Sequence, residues 1–148
     1  GLRTVKELAS FLELESTAVR PGEPLPSYSY SSSVVGGADS PPDLAVKDMP
    51  SSTRVLLLVA RDADAYTPEG EELPPLWAVA NISPADSSNL ETSTSGTAVV
   101  PYHGPTPTDD FIHRVFFRVY ALDQPVPPSR MSSWSELAKW MDSKGLSK

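Results

Sequence analysis

Two groups of polar and turn-forming residues have the types and spacing that chemistry requires. Asp62 and Asp64 directly follow an apolar run, so two carboxylates stand where the chain leaves a buried strand. The second group is the Tyr-His-Gly-Pro-Thr-Pro segment at 102–107, followed by His113-Arg114. A carboxylate beside an imidazole raises its basicity and fixes its tautomer, which suits proton transfer next to a carbonyl group. Proline turns around a glycine can also expose backbone N–H groups to an anion.

Each group also has a purely structural interpretation. An aspartate at a strand end commonly caps a turn by accepting hydrogen bonds from backbone N–H groups. A lone histidine beside a strand is more often structural than catalytic. The chain has no His-Glu-x-x-His, no Gly-x-Ser-x-Gly and no phosphate-binding glycine loop, which disfavours the common hydrolases and nucleotide enzymes.

Metal and cofactor chemistry has little support in the sequence. Cysteine is absent, which excludes thiolate nucleophiles, disulfides and thiolate metal sites. Asp62, Asp64 and His113 together would make a poor zinc site, because they offer one imidazole and no thiolate. We therefore expect no metal ion and no cofactor.

Length and charge limit the class of protein further. The 148 residues suit one domain, which we place at 1–148. With 12 basic and 19 acidic residues and a net charge of -7, the chain lacks the concentrated basic face of a nucleic-acid binder. The longest apolar run, Val55–Ala60, is far shorter than the roughly 20 residues that span a bilayer. We expect a soluble protein, and the residues do not distinguish the cytoplasm from secretion.

The predicted elements are mostly strands. Proline contributes 16 residues, and its clusters indicate short strands joined by rigid loops. Val55–Ala60 is continuously apolar and predicts the central strand of a sheet, covered on both faces. Further strands are predicted at Leu76–Ile82, at Thr97–Val100 and at 114–120, where Val115, Phe117 and Val119 share one face. Residues 11–15, a turn at 20–24 and the alternating stretch around Tyr28 and Tyr30 predict two outer strands.

Helices are predicted at both ends of the chain. Thr4 and Glu7 form a capping box, which predicts a short helix at 4–11. Ser133 and Glu136 form another, and the stripe of Trp134, Leu137, Trp140 and Met141 predicts a terminal helix whose tryptophans pack into the core. The polar segment 83–95 is expected to be an exposed loop, and Asn81 is expected to be buried instead of glycosylated.

Three blocks of residues resemble the phosphatidylethanolamine-binding protein family. Asp62-Ala63-Asp64-Ala65 is similar to the family's Asp-Pro-Asp-Ala-Pro turn. The 102–107 segment, His113-Arg114 and Tyr120-Ala121-Leu122-Asp123 follow the order and spacing of a second family block. Gly37–Pro42 and Leu44–Pro50 resemble the Ser-Pro-Pro-Leu segment of its bacterial branch. The resemblance covers most of the chain, and the combination of the three blocks is specific.

The resemblance implies a large antiparallel sheet packed on a smaller one, with short flanking helices and one small surface pocket. In the family this pocket takes phosphate, carboxylate or the phosphoryl head of a lipid. Carried over by position, Asp62 and His113 face the ligand and Asp64 gives structural support. The ligand-binding positions are then Asp62, Tyr66, Leu76, Tyr102, Gly104, Pro105, Thr106, His113 and Val115.

The chain departs from the family at several of these positions. Leu76 stands where the family has a histidine, Val115 replaces a tyrosine, and Val46 occupies the place of a tryptophan. Each lost charge-assisted contact is worth roughly 1 to 3 kcal/mol. We therefore expect weak phosphate binding and a more apolar pocket.

Three functions agree with these residues. We favour a protein that binds a small hydrophobic metabolite bearing a carboxylate or carbonyl group. The alternative is an enzyme of specialised metabolism, an isomerase or cyclase with His113 and Asp62 as the acid–base pair. A third interpretation is a scaffold that docks kinases or other proteins through the same surface, and the sequence leaves a homodimer open.

Overall fold

The computed structural model describes residues 12–65, 69–70, 73–106 and 114–146. In these ranges the chain forms two antiparallel sheets and one α-helix. The elements are β1 (Glu13–Glu15), β2 (Ala45–Lys47), β3 (Val55–Asp62), β4 (Trp77–Ile82), β5 (Thr97–Val100), β6 (Val115–Leu122) and α1 (Trp134–Ser143). This confirms the mostly-β fold class, with a larger sheet packed on a smaller one.

The larger sheet has the order β5-β4-β3-β6, with antiparallel neighbours throughout. The predicted central strand is confirmed, since β3 lies between β4 and β6. Successive strand residues point to opposite faces, and both faces of β3 are buried. Leu57 and Val59 belong to a core shared with α1, which we call the helix-side core. Leu56 and Leu58 belong to a second core, shared with the β2 segment, which we call the small-sheet core.

The alternation of β6 distributes its side chains between these two cores. Phe117 and Val119 pack against the small-sheet core, whereas Tyr120 and Leu122 are buried in the helix-side core. The sequence prediction for this strand is therefore confirmed. Directly opposed residues of paired strands share a face, so the pairing register determines which side chains of β3 and β6 lie next to each other.

Helix α1 is the predicted terminal helix. The Ser133 Oγ accepts a hydrogen bond from the Glu136 N–H at 3.2 Å, which caps the first turn. Trp140 is buried in the helix-side core, and Trp134 packs partly buried against it. Core packing of both tryptophans is confirmed.

The smaller sheet consists of β1 and β2, in which Leu14 opposes Val46. Val46 is buried in the small-sheet core and so joins this sheet to the larger one. Asp43, just before β2, accepts hydrogen bonds from the Thr17 and Ala18 N–H groups at 2.8 and 3.1 Å. These bonds, that of Thr17 first, lower the pKa of Asp43 and tie the chain beyond β1 to the start of β2.

The predicted strand around Tyr28 and Tyr30 is wrong. Ser27–Ser29 form a 3₁₀ helix after Pro26, and the Tyr28 carbonyl accepts from the Ala38 and Ser40 N–H groups at 3.1 Å each. These two bonds fold the segment back on itself. We call residues 27–39 the buttress loop. The helix predicted at 4–11 lies outside the described residues.

The polar segment 83–95 is only partly the exposed loop that was expected. It contains two 3₁₀ helices, Pro84–Asp86 and Leu90–Thr92, and Leu90 is buried in the small-sheet core. The side chain of Asn81 donates to the Val126 carbonyl at 3.0 Å and accepts from the Val126 N–H at 2.8 Å. Asn81 is half-buried, so the burial that was expected holds only in part, and its side chain fixes the position of Val126.

Candidate functional site

The first side of the candidate site is the turn that follows β3. Asp62 ends β3 opposite Val115 on β6, and its Oδ1 accepts from the Asp64 N–H at 2.9 Å. Ala63 N donates to the Arg114 carbonyl at 2.8 Å. One oxygen of Asp62 thus caps the turn, as the structural interpretation expected, and the turn is fastened to the start of β6.

Asp64 strengthens this attachment with its side chain. Its carboxylate accepts from the Arg114 backbone N–H at 2.7 Å, and from Nε and Nη2 of the same guanidinium at 2.9 and 2.7 Å. Bidentate guanidinium–carboxylate pairs fix geometry as well as adding energy. The structural role assigned to Asp64 is therefore observed, and it holds the residue that follows His113 in the sequence.

Leu76 joins the turn side of the site to the loop 102–106. Its N–H donates to the Ala60 carbonyl at 2.8 Å, and its carbonyl accepts from the His103 N–H at 2.9 Å. The residue is 6% exposed. A buried leucine therefore stands between the end of β3 and this loop, and its side chain has no group that could bind an oxyanion.

The loop 102–106 packs closely against the buttress loop. A Cβ added to Gly104 would collide with the backbone of Ser29, Tyr30 and Ser31, so only glycine allows this approach. The Pro105 carbonyl accepts from the Ser31 N–H at 3.1 Å. The close contact explains why a glycine is required at 104.

Two backbone donors of this loop are already used. Gly104 N–H donates to Asp39 Oδ1 at 2.9 Å, and His103 N–H donates to Leu76. The expectation that the proline-flanked glycine would expose N–H groups to an anion is wrong for these two residues. The loop is built for internal support, because a side chain and a neighbouring strand end take its donors.

Asp39 is the supporting residue that sequence reasoning missed. It has a φ of 50°, in the left-handed region, and its Oδ2 also accepts from the Ser32 N–H at 3.1 Å. These bonds, that of Gly104 first, lower the pKa of Asp39. Gly37–Pro42 entered the prediction only through its resemblance to the family, although an aspartate between Gly37 and Pro41 is also typical of a turn.

Tyr102 supports the loop from its other end. Its hydroxyl donates to the Ser29 carbonyl at 2.6 Å, and its ring contacts Trp77 edge to face at 5.4 Å between centroids. Burial raises the pKa of Tyr102 to about 12, so the phenol is neutral at physiological pH. The hydroxyl holds the buttress loop, and the ring contributes apolar wall.

Most of the predicted site positions that the structure describes lie at one end of the larger sheet. Register and backbone bonds connect Asp62 with Val115, and Leu76 with the loop 102–106. Val115 is half-buried, Pro105 is buried and Thr106 is exposed. Tyr66 and His113 lie outside the described residues.

Two features are absent from the described ranges. Their histidine, aspartate and glutamate side chains form no group of three that could hold a metal ion. Among the same residues, no helix has the length and apolar character needed to cross a membrane.

The chain is similar to known proteins over nearly its whole length. It is 33% identical over 141 residues to a UPF0098 protein of Chlamydia muridarum, with 88% of this chain and 89% of that protein covered. A crystal structure of a phosphatidylethanolamine-binding protein homologue from Chlamydia trachomatis has a TM-score of 0.66 and 30% identity, with 88% of each chain covered. The Escherichia coli protein YbcL shares the fold, with a TM-score of 0.66, 22% identity and 90% of each chain covered. Residues 15–148 match the family described as phosphatidylethanolamine-binding protein, and the chain belongs to that family.

Proposed function

We propose that this protein binds a small hydrophobic molecule with a carboxylate or carbonyl group. The ligand lies at the end of the larger sheet, between the turn after β3 and the loop 102–106. The observation that carries the proposal is Leu76, buried and bonded through its backbone to both sides of the site. It provides apolar wall at the position where the family has a histidine.

The described donors of the site support an apolar ligand over phosphate. Phosphate binding needs several N–H or O–H donors that point at the oxyanion. The His103 N–H, the Gly104 N–H and the Tyr102 hydroxyl all donate to acceptors within the protein. A ligand with one polar end and an apolar body requires fewer donors, and the half-buried Val115 adds to its apolar surroundings.

The proposal is tested by calorimetric titration with octanoate and with inorganic phosphate. We expect octanoate to bind more tightly than phosphate to the unaltered protein. Leu76→His supplies a charge-assisted donor and raises phosphate affinity about tenfold. Leu73→His is the matched control, because Leu73 is exposed and the same substitution there leaves phosphate affinity unchanged. Tight phosphate binding by the unaltered protein would contradict the proposal.

The acid–base enzyme is the second candidate, and one observation favours it. Asp62 lies opposite Val115 at the start of β6, and His113 precedes Val115 by two residues in the sequence. In this proposal the His113 imidazole removes a proton from the carbon next to a substrate carbonyl and returns it, while Asp62 supports the imidazolium. An isomerase or a cyclase would use this step.

Proton exchange distinguishes the enzyme from the binding protein. The α-hydrogens of 2-octanone are followed by NMR in deuterated water with the unaltered protein, His113→Ala and Asp62→Asn. The enzyme proposal expects exchange that both substitutions abolish, with unchanged thermal unfolding midpoints. Exchange that persists in both variants removes the acid–base pair and leaves the binding function.

A homodimer and a kinase-docking role stay predictions. Sedimentation equilibrium of the purified protein tests the first. Co-purification with kinases from the source organism tests the second, with Asp62→Asn as the variant that should lose the interaction if docking uses the same surface.

A further inference from the structure

An exposed phenylalanine lies between two arginines on β6. Phe116 is 41% exposed. The guanidinium carbons of Arg114 and Arg118 lie 5.9 and 5.8 Å from the centroid of its ring. Across the strand pair, Arg61 opposes Phe116 and places its guanidinium 5.8 Å from the centroid of the Trp134 ring. We call these five residues the arginine–aromatic surface.

This surface lies on the opposite side of the larger sheet from the candidate site. Phe116 and Arg118 alternate with Phe117 and Val119, which pack against the small-sheet core. Their own side of β6 continues into Tyr120, which is buried in the helix-side core. The same strand ends therefore present Asp62 and Val115 on one face and the arginine–aromatic surface on the other.

Core packing does not account for this concentration of charge and exposed ring. The chain has seven arginines and a net charge of -7, yet three of the arginines meet around two aromatic rings. The buried residues of α1, which are Leu137, Trp140 and Met141, cover the neighbouring part of the sheet. Phe116 lies at the edge of the sheet area that α1 covers, and its ring is exposed to solvent there.

The geometry suits recognition of carboxylates. A guanidinium that lies against an aromatic ring keeps N–H groups that can donate to a carboxylate. Arg114 is held by Asp64 as part of the turn after β3, and the half-buried Arg61 donates through Nη2 to the Leu73 carbonyl at 3.4 Å. Arg118 is exposed. Ion pairs at exposed side chains exchange partners at small cost, so an incoming carboxylate can be accepted there.

We propose that the arginine–aromatic surface binds an extended acidic segment of a partner protein. Residues two apart in a strand lie about 7 Å apart on one face, which is the spacing of Phe116 and Arg118. A segment with an apolar residue flanked at two-residue spacing by glutamates therefore matches the surface. β6 is the outermost strand on its side of the larger sheet among the described residues, so an extended segment can lie along it.

Net charge favours a peptide over a membrane or a nucleic acid as the partner. A membrane or a nucleic acid presents an extended anionic surface. Such a surface would also approach the acidic remainder of this chain, and the net charge of -7 would repel it. A short peptide contacts only the local surface, within about one Debye length of the arginines. Charge complementarity is therefore satisfied locally by a short acidic segment.

The test uses fluorescence anisotropy of a labelled peptide, Thr-Glu-Thr-Leu-Thr-Glu-Thr, with the whole chain. We expect saturable binding that weakens with salt. Arg118→Gln and Phe116→Ala each lower the affinity about fivefold or more. Arg54→Gln is the matched control, because Arg54 is an exposed arginine just before β3, and it leaves the affinity unchanged. Thermal unfolding of each variant verifies the fold.

Three results would overturn the proposal. The first is no peptide binding up to about 1 mM, the weak end of specific affinities. The second is an equal loss in Arg54→Gln and Arg118→Gln, which would indicate non-specific charge attraction. The third is binding to phosphatidylserine vesicles that Arg118→Gln abolishes, without peptide binding. Octanoate titration of Arg118→Gln is run in parallel and should match the unaltered protein, so a failure here is distinct from a failure of the proposed ligand site.

Discussion

At the scale of single residues, the candidate site is supported by hydrogen bonds that use its own donors. Gly104 N–H is taken by Asp39, and the Tyr102 hydroxyl by Ser29. The sequence indicated Asp62 and Gly104 as important positions, because turn residues at the ends of apolar runs are recognisable. It could indicate a turn at Asp39 but not the contact of Asp39 with Gly104, which lies 65 residues away in the chain, because spacing along the chain does not show such a contact.

Gly104→Ala should be strongly destabilising. The new methyl group would meet the backbone of Ser29 and Tyr30, which cannot move aside as a flexible side chain could. Overpacking of this kind costs roughly 1 to 3 kcal/mol in the free energy of unfolding, measured by urea titration. Gly22→Ala is the control, because Gly22 has a φ of 80° and no atom within 4 Å of an added Cβ. It should lose only the left-handed strain of about 1 kcal/mol, and equal losses at both positions would show that the close contact does not matter.

Tyr102 should titrate later than an ordinary tyrosine. Its pKa is raised from 10.0 to about 12, chiefly by burial. Because the pKa of Tyr102 is higher in the folded state than in the unfolded state, the contribution of this phenol to the free energy of unfolding is complete below pH 10. That contribution is lost as the pH rises towards 12. Spectrophotometric titration should show a tyrosinate step near pH 12 that Tyr102→Phe removes, and that variant should lose about 1 kcal/mol of stability at neutral pH. A step that persists in Tyr102→Phe would assign it to another tyrosine.

At the scale of elements, most of the predicted strands and the terminal helix were confirmed, and the predicted strand around Tyr28 and Tyr30 was wrong. The continuous apolar run of β3 and the stripe of α1 predicted their elements, because burial imposes those patterns directly. The alternation around Tyr28 and Tyr30 resembled a strand, yet the carbonyls of these two residues accept bonds from residues 38–40 of the same segment and not from a neighbouring strand. Strand β2 was not predicted, because Ala45–Lys47 is short and exists through its pairing with β1.

Asp64→Asn tests the attachment of the turn to β6. The substitution removes the ion pair with Arg114 and should loosen the turn that carries Asp62, so octanoate affinity falls about fivefold while stability falls by about 1 kcal/mol or less. Glu136→Gln is the control, because it breaks the Arg130–Glu136 pair near α1, which is partly exposed and 2.8 Å long, against 2.7 Å for the Arg114–Asp64 pair. Calorimetry and thermal unfolding measure the two effects. Equal octanoate affinities in the two variants would contradict a positioning role for Asp64.

At the scale of the whole molecule, hydrogen-bonded carboxylates hold loops in place, and two of them, Asp39 and Asp43, connect segments that are distant in the chain. The Gly104 N–H, the Thr17 N–H and the Ser95 hydroxyl are the leading causes that lower the pKa values of Asp39, Asp43 and Asp86 respectively. The family and the mostly-β architecture could be predicted because their marks are local sequence blocks. These hydrogen bonds to carboxylates could not be predicted, because they depend on the packing of loops that no sequence pattern specifies.

Acid should therefore destabilise the protein through these groups. A folded-state pKa below the ordinary 3.8 gives stability that is present above that value and is lost as the pH falls through the lowered pKa. Urea midpoints measured from pH 6 downwards should fall steeply below about pH 4. Asp86→Asn should lower the midpoint at neutral pH and flatten the acid dependence, because the Ser93 and Ser95 hydroxyls lose a charged acceptor. An unchanged acid slope in that variant would exclude Asp86 as a contributor.

The central claim is that a hydrophobic ligand with one polar end occupies the end of the larger sheet beside Leu76. Amide chemical shifts recorded during an octanoate titration test it most directly. The account predicts that the largest saturable shifts occur at Asp62, Leu76, Gly104 and Val115, and that Leu76→His reduces them. Shifts that leave these amides fixed and gather elsewhere, for example around Phe116, would contradict it.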